Sequence, residues 1–169
     1  MNIKKANSAG FCFGVNRAIK MVEELLDKNY KVCTLGPIIH NMEVVRELEQ
    51  RGCRPVESVD ELKDGEILVI RSHGVPQSVI DELEEKAADY KDATCPFVKK
   101  IHTTVSSADP ENDVVLIAGN KEHPEVCGII GHCKAECYTF NNEEELDDVL
   151  LNILKSNNKQ VLVVAQTTF

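Results

Sequence analysis

The sequence lacks the features that would place it in a membrane or on a secretory route. No apolar run approaches the roughly 20 residues that a membrane-spanning helix needs. The first residues, MNIKKANSAGFCFGV, contain no apolar signal-peptide segment. Acidic residues outnumber basic ones, 28 to 19, and the formal net charge of −9 argues against a general nucleic-acid binder. We therefore predict a cytoplasmic protein that binds neither nucleic acid nor membrane.

Common cofactor motifs are also absent, although cysteine is plentiful. The sequence has no CxxC pair, Walker motif or GxGxxG, so nothing indicates nucleotide binding. Each of the seven cysteines would be a thiol in a reducing compartment, where it packs in a core, binds a metal or reacts. Cys33 in a strand and Cys53 beside a short apolar run read as structural. Three others, with His132, match zinc spacing poorly: Cys127, Cys133 and Cys137.

Apolar segments alternate with helical patterns along the whole chain. The predicted strands lie near 2–7, 31–36, 66–71, 89–93, 113–119 and 159–165. The predicted helices lie at 14–28, 41–51, 76–88, 96–107 and 142–156, and a further helical stretch begins at Pro124. Continuous runs such as ILVI and VVLIAG are typical of parallel strands buried on both faces. The pattern predicts an α/β fold with parallel sheets and right-handed crossovers.

Reactive or polar residues follow these strands closely. They are Cys12, His40, His73, Cys95, His123 and Thr167. Ligands of open α/β sheets bind outside the carboxyl ends of the strands, so these residues predict a shared site. Cys12 and His40 are 28 positions apart, as are Cys95 and His123, with a helix and a strand between them in each case. This repeat favours two similar small domains that meet at the site, and we place them at 1–94 and 95–169.

Four of these residues suggest specific chemistry. Cys12 lies between glycines in AGFCFGV, and Cys95 in DATCP precedes a helix whose dipole favours a thiolate. Because iron–sulfur clusters are bound by thiolates, each domain could supply one ligand, although two structural thiols explain the spacing equally well. His40 and His73 together offer donors suited to a phosphate, whereas each alone reads more readily as a satisfied surface or core histidine.

The second repeat adds residues suited to proton transfer. His123 and Glu125, at a strand-to-helix junction, could pass protons into a closed site. The alternative for Glu125 is a carboxylate that stabilises the first turn of the helix. The hydroxyls of Thr167 and Thr168 could bind a substrate oxygen or cap a following helix.

Six motifs in this order resemble those of the 4-hydroxy-3-methylbut-2-enyl diphosphate reductase family: GFCFGV, GPIIHN, SHGV, DATCP, HPEV and QTT. The resemblance spans the whole chain. It implies three similar α/β domains arranged with pseudo-threefold symmetry around a [4Fe–4S] cluster. The implied reaction removes the allylic hydroxyl reductively to give isopentenyl and dimethylallyl diphosphate. A reduced flavodoxin- or ferredoxin-type protein would donate the electrons.

The resemblance also implies a role for each matching residue. Two match cysteine ligands of the cluster: Cys12 and Cys95. Glu125 matches the carboxylate that delivers a proton. The others match substrate-binding positions, with the first two at the diphosphate: His40, His73, His123, Thr167 and the adjacent Thr168.

The family's third cysteine ligand lies in a third domain that has no match before Phe169. We therefore expect a truncated form that contains two of the three domains, with weak cluster binding and little activity of its own. A strand within residues 1–12 could pack with the third domain. The alternative function is a non-catalytic anion-binding or thiol module, which would bind diphosphate but remain colourless.

Overall fold

Short aliphatic runs form the strands of two parallel sheets in the computed structural model, which describes residues 3, 4, 6, 9–153 and 159–169. The strands are β1 (Lys31–Leu35), β2 (Arg54–Val56), β3 (Glu66–Ile70), β4 (Tyr90–Asp92), β5 (Asp113–Ala118), β6 (Glu136–Phe140) and β7 (Gln160–Ala165). The helices are α1 (Phe13–Asp27), α2 (Met42–Gln50), α3 (Gln77–Glu85), α4 (Pro96–Ser106), α5 (Pro124–His132) and α6 (Glu143–Ile153). A 3₁₀ turn (Val59–Glu61) precedes β3.

The first sheet has the strand order β2-β1-β3-β4, and apolar residues cover both of its faces. Val32 and Val69 pack against α1 and α2 on one face, whereas Cys33, Leu68 and Ile70 belong to the core on the other. Burying each such aliphatic side chain contributes about 1.5–3 kcal/mol. The continuous apolar run of β3 is therefore explained by burial on both sides.

The second sheet has the order β6-β5-β7, and one of its faces packs against α4 and α5, while Val114 and Leu116 of β5 are buried on the other face. Val115 and Ile117 of β5 are fully buried against α4 and α5. In β7 the alternate residues Val161 and Val163 are 45% and 60% exposed. All strand pairs in both sheets are parallel. The prediction of two parallel-sheet α/β domains is thus confirmed.

Helix starts follow from local sequence. The side chain of Asn41 caps α2 by accepting hydrogen bonds from the backbone N–H groups of Glu43 and Val44. Pro96 and Pro124 occupy the first turns of α4 and α5, where a missing N–H costs nothing. None of the helices in the described ranges combines the length and apolar character needed to cross a membrane.

The structure departs from the sequence predictions mainly at the edges. Strands β2 and β6 were not predicted, because β2 has only three residues, including Pro55, and β6 is an edge strand with polar residues. Helix α3 ends three residues earlier than predicted, at Glu85, before Ala87 adopts a positive φ of 48°. In the predicted strand at 2–7, residues 3, 4 and 6 are not in a strand, and residues 2, 5 and 7 lie outside the described residues, as do 154–156 of the last predicted helix.

Candidate functional site

Three histidines from both domains meet where strands of the two sheets end. His40 follows β1, His73 follows β3 and His123 follows β5. The ring centroids of His40 and His73 are 4.5 Å apart. The ring centroid of His123 lies 5.6 Å from that of His40 and 5.5 Å from that of His73. The structure therefore brings together three predicted site residues that are far apart in sequence. We call them the histidine cluster.

Backbone contacts through Ser72 hold the surrounding loops together. The Ser72 backbone N–H and hydroxyl both approach the carbonyl oxygen of Ile38 at 3.5 Å, which links the His73 loop to the His40 loop. The Ser72 carbonyl accepts a hydrogen bond of 2.9 Å from the backbone N–H of Cys95. These contacts fix two of the histidines relative to the helix that begins after Cys95.

The Cα position at Gly74 places a further constraint on the His73 loop. Gly74 has a φ of +74°, and a Cβ at this position would lie 2.6 Å from Cε1 of the buried His102 ring. Only glycine accommodates both the left-handed backbone and this close approach. The His73 loop is thus seated directly on a side chain of α4.

Burial favours the neutral form of two rings of the histidine cluster, His73 and His123. It lowers the pKa of His73 to about 4, with smaller contributions from His40, Arg71 and His123. Burial also lowers the pKa of His123, assisted by His40 and Arg71 and opposed by Glu125. The Nδ1 atom of His73 is buried and has no hydrogen-bond partner in the described part of the chain. An unpaired buried donor or acceptor is costly, so a ligand at this point would relieve it.

The tautomer of His123 favours an anion over a metal ion. One nitrogen from each ring lies within 4.8 Å of the others, a spacing that could hold a metal. However, Nδ1 of His123 accepts a hydrogen bond of 3.1 Å from the backbone N–H of Glu125, so the proton of the neutral ring is on Nε2. The remaining nitrogen is therefore a donor, and a metal ligand must instead offer a lone pair.

Glu125 and Thr167 form a closed pair beside the cluster. Glu125 is only 2% exposed. Its Oε1 accepts a hydrogen bond from the backbone N–H of Thr167 at 2.6 Å, and its Oε2 accepts one from the Thr167 hydroxyl at 2.8 Å. Two predicted site residues, separated by 42 positions, are therefore in direct contact. Such a carboxylate and hydroxyl can exchange a proton.

Thr168 does not take part in this pair. Its Oγ1 lies 2.8 Å from the Nε2 of Gln166 and accepts a hydrogen bond from it. The backbone N–H of Gln166 donates to the Ala118 carbonyl, and its Oε1 lies 3.4 Å from the backbone nitrogen of Asn120. Gln166 therefore links the end of β7 to the loop after β5. This arrangement orients the loop that leads to His123.

Two thiols lie at adjacent helix N-termini. Cys12 precedes α1 and Cys95 precedes α4, and neither thiol caps its helix. A Cβ at Gly14 would be 2.5 Å from Sγ of Cys95, so this thiol rests on the first turn of α1. Cys12 is exposed and Cys95 is partly exposed. Each cysteine is at least partly exposed and directly precedes a helix, a position from which its thiol can bind the iron of an iron–sulfur cluster.

Arg17 is a contributor that the sequence analysis missed. Its guanidinium donates hydrogen bonds of 3.1 Å to the backbone carbonyls of Thr94 and Asp92. These bonds tie α1 to the segment that carries Cys95, and hence position the two thiols relative to each other. No sequence pattern reports such a contact, because a carbonyl acceptor is present at every residue.

The other five cysteines lie elsewhere in the fold. Cys33 and Cys53 are in cores, where burial raises their pKa values to about 12 and about 11, so the prediction that they are structural is confirmed. Cys127 donates to the Lys121 carbonyl. Within the described ranges, no metal-type grouping includes Cys133 or Cys137. The chain therefore supplies two accessible thiols to the site edge.

A separate cavity of about 750 Å³ lies between α3, α4 and α5. Inside it, the rings of His102 and His132 stack with centroids 4.1 Å apart, and Nε2 of His132 lies 3.0 Å from the Val75 carbonyl. Burial, followed by His132, lowers the pKa of His102 to about 4. None of the residues of the histidine cluster lines this cavity, so it is distinct from the candidate site.

Fold and site together define a class. It is an α/β protein with two parallel sheets, two cysteines that precede helices, a cluster of three histidines and a buried carboxylate. The model of the LytB protein family matches residues 3–169, and the chain belongs to this family. Among curated relatives, the 4-hydroxy-3-methylbut-2-enyl diphosphate reductase of Clostridioides difficile is 41% identical over 169 residues. The alignment covers 99% of this chain and 59% of that protein.

Other relatives give the same result. The reductase of the same name from Aquifex aeolicus is 40% identical, with 96% of this chain and 55% of that protein covered. A solved structure of (E)-4-hydroxy-3-methyl-but-2-enyl diphosphate reductase, described as the terminal enzyme of the non-mevalonate pathway, is 40% identical with a TM-score of 0.81, covering 97% of this chain and 57% of that one. The corresponding Plasmodium falciparum reductase has a TM-score of 0.84 at 33% identity, with 96% and 50% covered. The chain thus spans about half the length of the relatives it matches.

Proposed function

We propose that this chain forms two domains of a 4-hydroxy-3-methylbut-2-enyl diphosphate reductase and carries its thiol, diphosphate and proton-donor residues. One observation carries the proposal. The histidine cluster, the Glu125–Thr167 pair and the two thiols occur together in a chain that is 41% identical to a protein named as such a reductase. The reaction converts the allylic hydroxyl to water with consumption of two electrons and two protons. The products would be isopentenyl and dimethylallyl diphosphate.

Cys12 and Cys95 are the residues that would hold a [4Fe–4S] cluster. They fit it because both thiols are accessible, both lie at helix N-termini, and the absence of a side chain at Gly14 leaves room for Cys95. When bound, the cluster supplies electrons and Lewis acidity toward the allylic oxygen. A reduced flavodoxin- or ferredoxin-type protein is the proposed electron donor, and the cytoplasm the proposed compartment.

His40 and His73 would bind the diphosphate. Neutral imidazoles offer N–H donors, and the unpaired Nδ1 of His73 gives one of them a reason to engage a ligand. Binding of an anion would also offset the mutual repulsion that protonated rings about 5 Å apart would feel. His123, whose Nε2–H is free of the Glu125 backbone contact, would donate to the substrate beside them.

Glu125 would deliver the proton that lets the hydroxyl leave as water. Its burial excludes bulk water, and the Thr167 hydroxyl is in contact with Oε2. A proton on Oε2 can pass to the substrate oxygen directly or through Oγ1 of Thr167, which donates one proton as it accepts another. Thr168 would lie next to this relay without being part of it.

The domain boundary between Thr94 and Cys95 is also a proposal. It is supported by the position of α4, because Val105 and Ala108 at its end pack in the core of the second sheet. Strand β4, which ends at Asp92, pairs with β3 of the first sheet. Cys95 would then be the first residue of the second domain, as Cys12 lies near the start of the first.

The test is reductive turnover of 4-hydroxy-3-methylbut-2-enyl diphosphate with dithionite as electron source, after anaerobic reconstitution with iron and sulfide. It should be run on the chain alone and on the chain fused to the remaining part of the Clostridioides difficile reductase. We expect a brown fused protein that forms both products and little turnover from the chain alone. A colourless fused protein that binds the diphosphate without converting it would contradict the proposal and favour the non-catalytic anion-binding module.

A further inference from the structure

Arg71 lies among the loops that carry the histidine cluster. It is two residues before His73, directly after β3. Its Nη1 would be 2.9 Å from a Cβ on Gly36, so its guanidinium rests against the loop that leads from β1 to His40. Its charge also lowers the pKa values of both His73 and His123. One arginine therefore lies in the His73 loop and rests against the His40 loop.

This cation has no counter-ion within the described ranges. Arg71 makes no ion pair and donates no side-chain hydrogen bond there, and its Nε is buried without a partner. Cys127 and, more weakly, Glu57 act on its charge, but no hydrogen bond or ion pair joins either of them to Arg71 in the described ranges. Burial lowers the pKa of Arg71, yet an arginine stays charged at any physiological pH.

A partly buried charge without a partner is destabilising, and proteins retain one mainly where a ligand completes it. By contrast, the buried carboxylate of the site, Glu125, is hydrogen-bonded to Thr167 within the fold. Of the three nitrogens of Arg71, only Nε is sealed from solvent without a partner, which leaves Nη1 and Nη2 to reach an anion. The planar fork of these two nitrogens matches phosphate oxygens.

We propose that Arg71 is a further substrate-binding residue, and that its terminal nitrogens pair with the phosphate group that His40 and His73 also contact. The identity of that phosphate as the substrate's diphosphate rests on the proposed function. Arg71 is then the permanent charge of the subsite, and the histidines contribute donors. Because Gly36 leaves room for the guanidinium, the loop and the arginine would be matched to each other.

The test measures binding of inorganic pyrophosphate to the 169-residue chain by calorimetry at fixed ionic strength. Arg71→Gln removes the charge, and Arg51→Gln is the matched control, because Arg51 follows α2 near the opposite edge of the sheet and pairs with Glu23 and Asp27 on the surface. We expect Arg71→Gln to weaken pyrophosphate about 10- to 100-fold, the effect of losing a charged hydrogen bond. The control should bind as the wild type does.

A second readout is made on the wild-type protein, and a variant is used only to assign the signal. In the wild type, the Nε–H resonance of Arg71, assigned from its loss in Arg71→Lys, should shift when pyrophosphate is added. An unshifted resonance, or an Arg71→Gln variant that binds pyrophosphate as tightly as the wild type, overturns the role of Arg71. If His40→Ala and His73→Ala still lose affinity in that case, the proposed function stands. A wild-type chain that binds no pyrophosphate overturns both.

Discussion

The two domains place different chemistry at corresponding positions of their two sheets. In each, the central strand leads to a histidine: β1 to His40 and β5 to His123. The strand beside it, β3 or β7, leads to His73 in the first domain but to Thr167 in the second. We infer that one structural unit was specialised twice, for holding an anion in the first domain and for moving a proton in the second.

The charged residues next to these positions also differ between the two domains. In the first domain, Arg71 adds an unpaired positive charge beside His73. In the second, Glu125 adds a carboxylate that is hydrogen-bonded to Thr167 and to no cation in the described structure. The contrast shows how a chain with a net charge of −9 can still place a cation without a counter-ion, within the described ranges, beside the histidine cluster.

The largest expected effect is on turnover and follows from a change at Glu125 in the second domain. In the fused, reconstituted enzyme, Glu125→Gln should lower turnover about 10²- to 10⁴-fold, because an amide of the same size cannot deliver a proton. Iron content should not change. Glu122→Gln is the matched control, since Glu122 is exposed and precedes the same helix. Turnover of Glu125→Gln at the control's rate would leave Glu125 with only its role in the first turn of α5.

The free energy of unfolding should depend on pH through the contact of His102 and His132 with the first domain. His102 stacks on His132, which contacts Val75 of the first domain, with Asp92 and Lys99 as the charged neighbours that act on His102. The folded pKa of His102, about 4, lies below the value near 6.5 of an unfolded histidine, so its stabilising contribution is present above pH 6.5 and is lost as pH falls toward 4. The loss could reach about 3 kcal/mol.

His102→Phe keeps an aromatic ring but removes this titration. Urea unfolding at a series of pH values should therefore show a shallower acid dependence for His102→Phe than for the wild type between pH 6.5 and 4. His73 also has a lowered pKa and remains in both proteins, so the difference isolates His102. Parallel curves for the two proteins would show that His102 does not control the acid response.

A smaller effect separates anion binding from proton transfer. His40→Ala and His73→Ala should each weaken diphosphate binding by about 1.5–3 kcal/mol, the cost of a charged hydrogen bond, without changing iron content. Thr167→Val, which keeps the shape of the side chain, should leave diphosphate affinity nearly unchanged and lower turnover instead. The measurement is the dissociation constant and the turnover number of all three variants. Equal losses of affinity in all three would remove the division between the domains.

Much of the fold was predictable from the sequence because its signals are local. The central strands β3 and β5 contain continuous aliphatic runs, and α4 begins at a proline, so burial and helix-start chemistry agree there. Edge strand β2 was missed because three residues that include Pro55 bury little and carry no alternating pattern. Edge strands depend on the neighbouring strand, which the sequence alone does not locate.

The candidate site was predictable for a different reason. His40, His73 and His123 each follow a strand, and the spacing of 28 positions from Cys12 to His40 recurs from Cys95 to His123, so the sequence predicts that these residues share an edge. Arg17 was missed because it donates to a backbone carbonyl, and Arg71 because it is distinguished by a buried nitrogen that has no partner in the described ranges. Neither feature produces a pattern in the sequence. The contact of Glu125 with Thr167 likewise depends on how β7 pairs with β5, which only the folded structure supplies.

The central claim is that the two domains hold one cluster jointly, through one thiol from each. Its most direct test is iron and sulfide per chain after anaerobic reconstitution of the fused protein, as wild type and with Cys12→Ser, Cys95→Ser or the control Cys53→Ser, whose thiol is buried in the first core. We expect the wild type and the control to bind the same amount of iron, and each site variant to bind far less, because a hydroxyl does not replace a thiolate ligand. Site variants that retain as much iron as the Cys53→Ser control would contradict the claim.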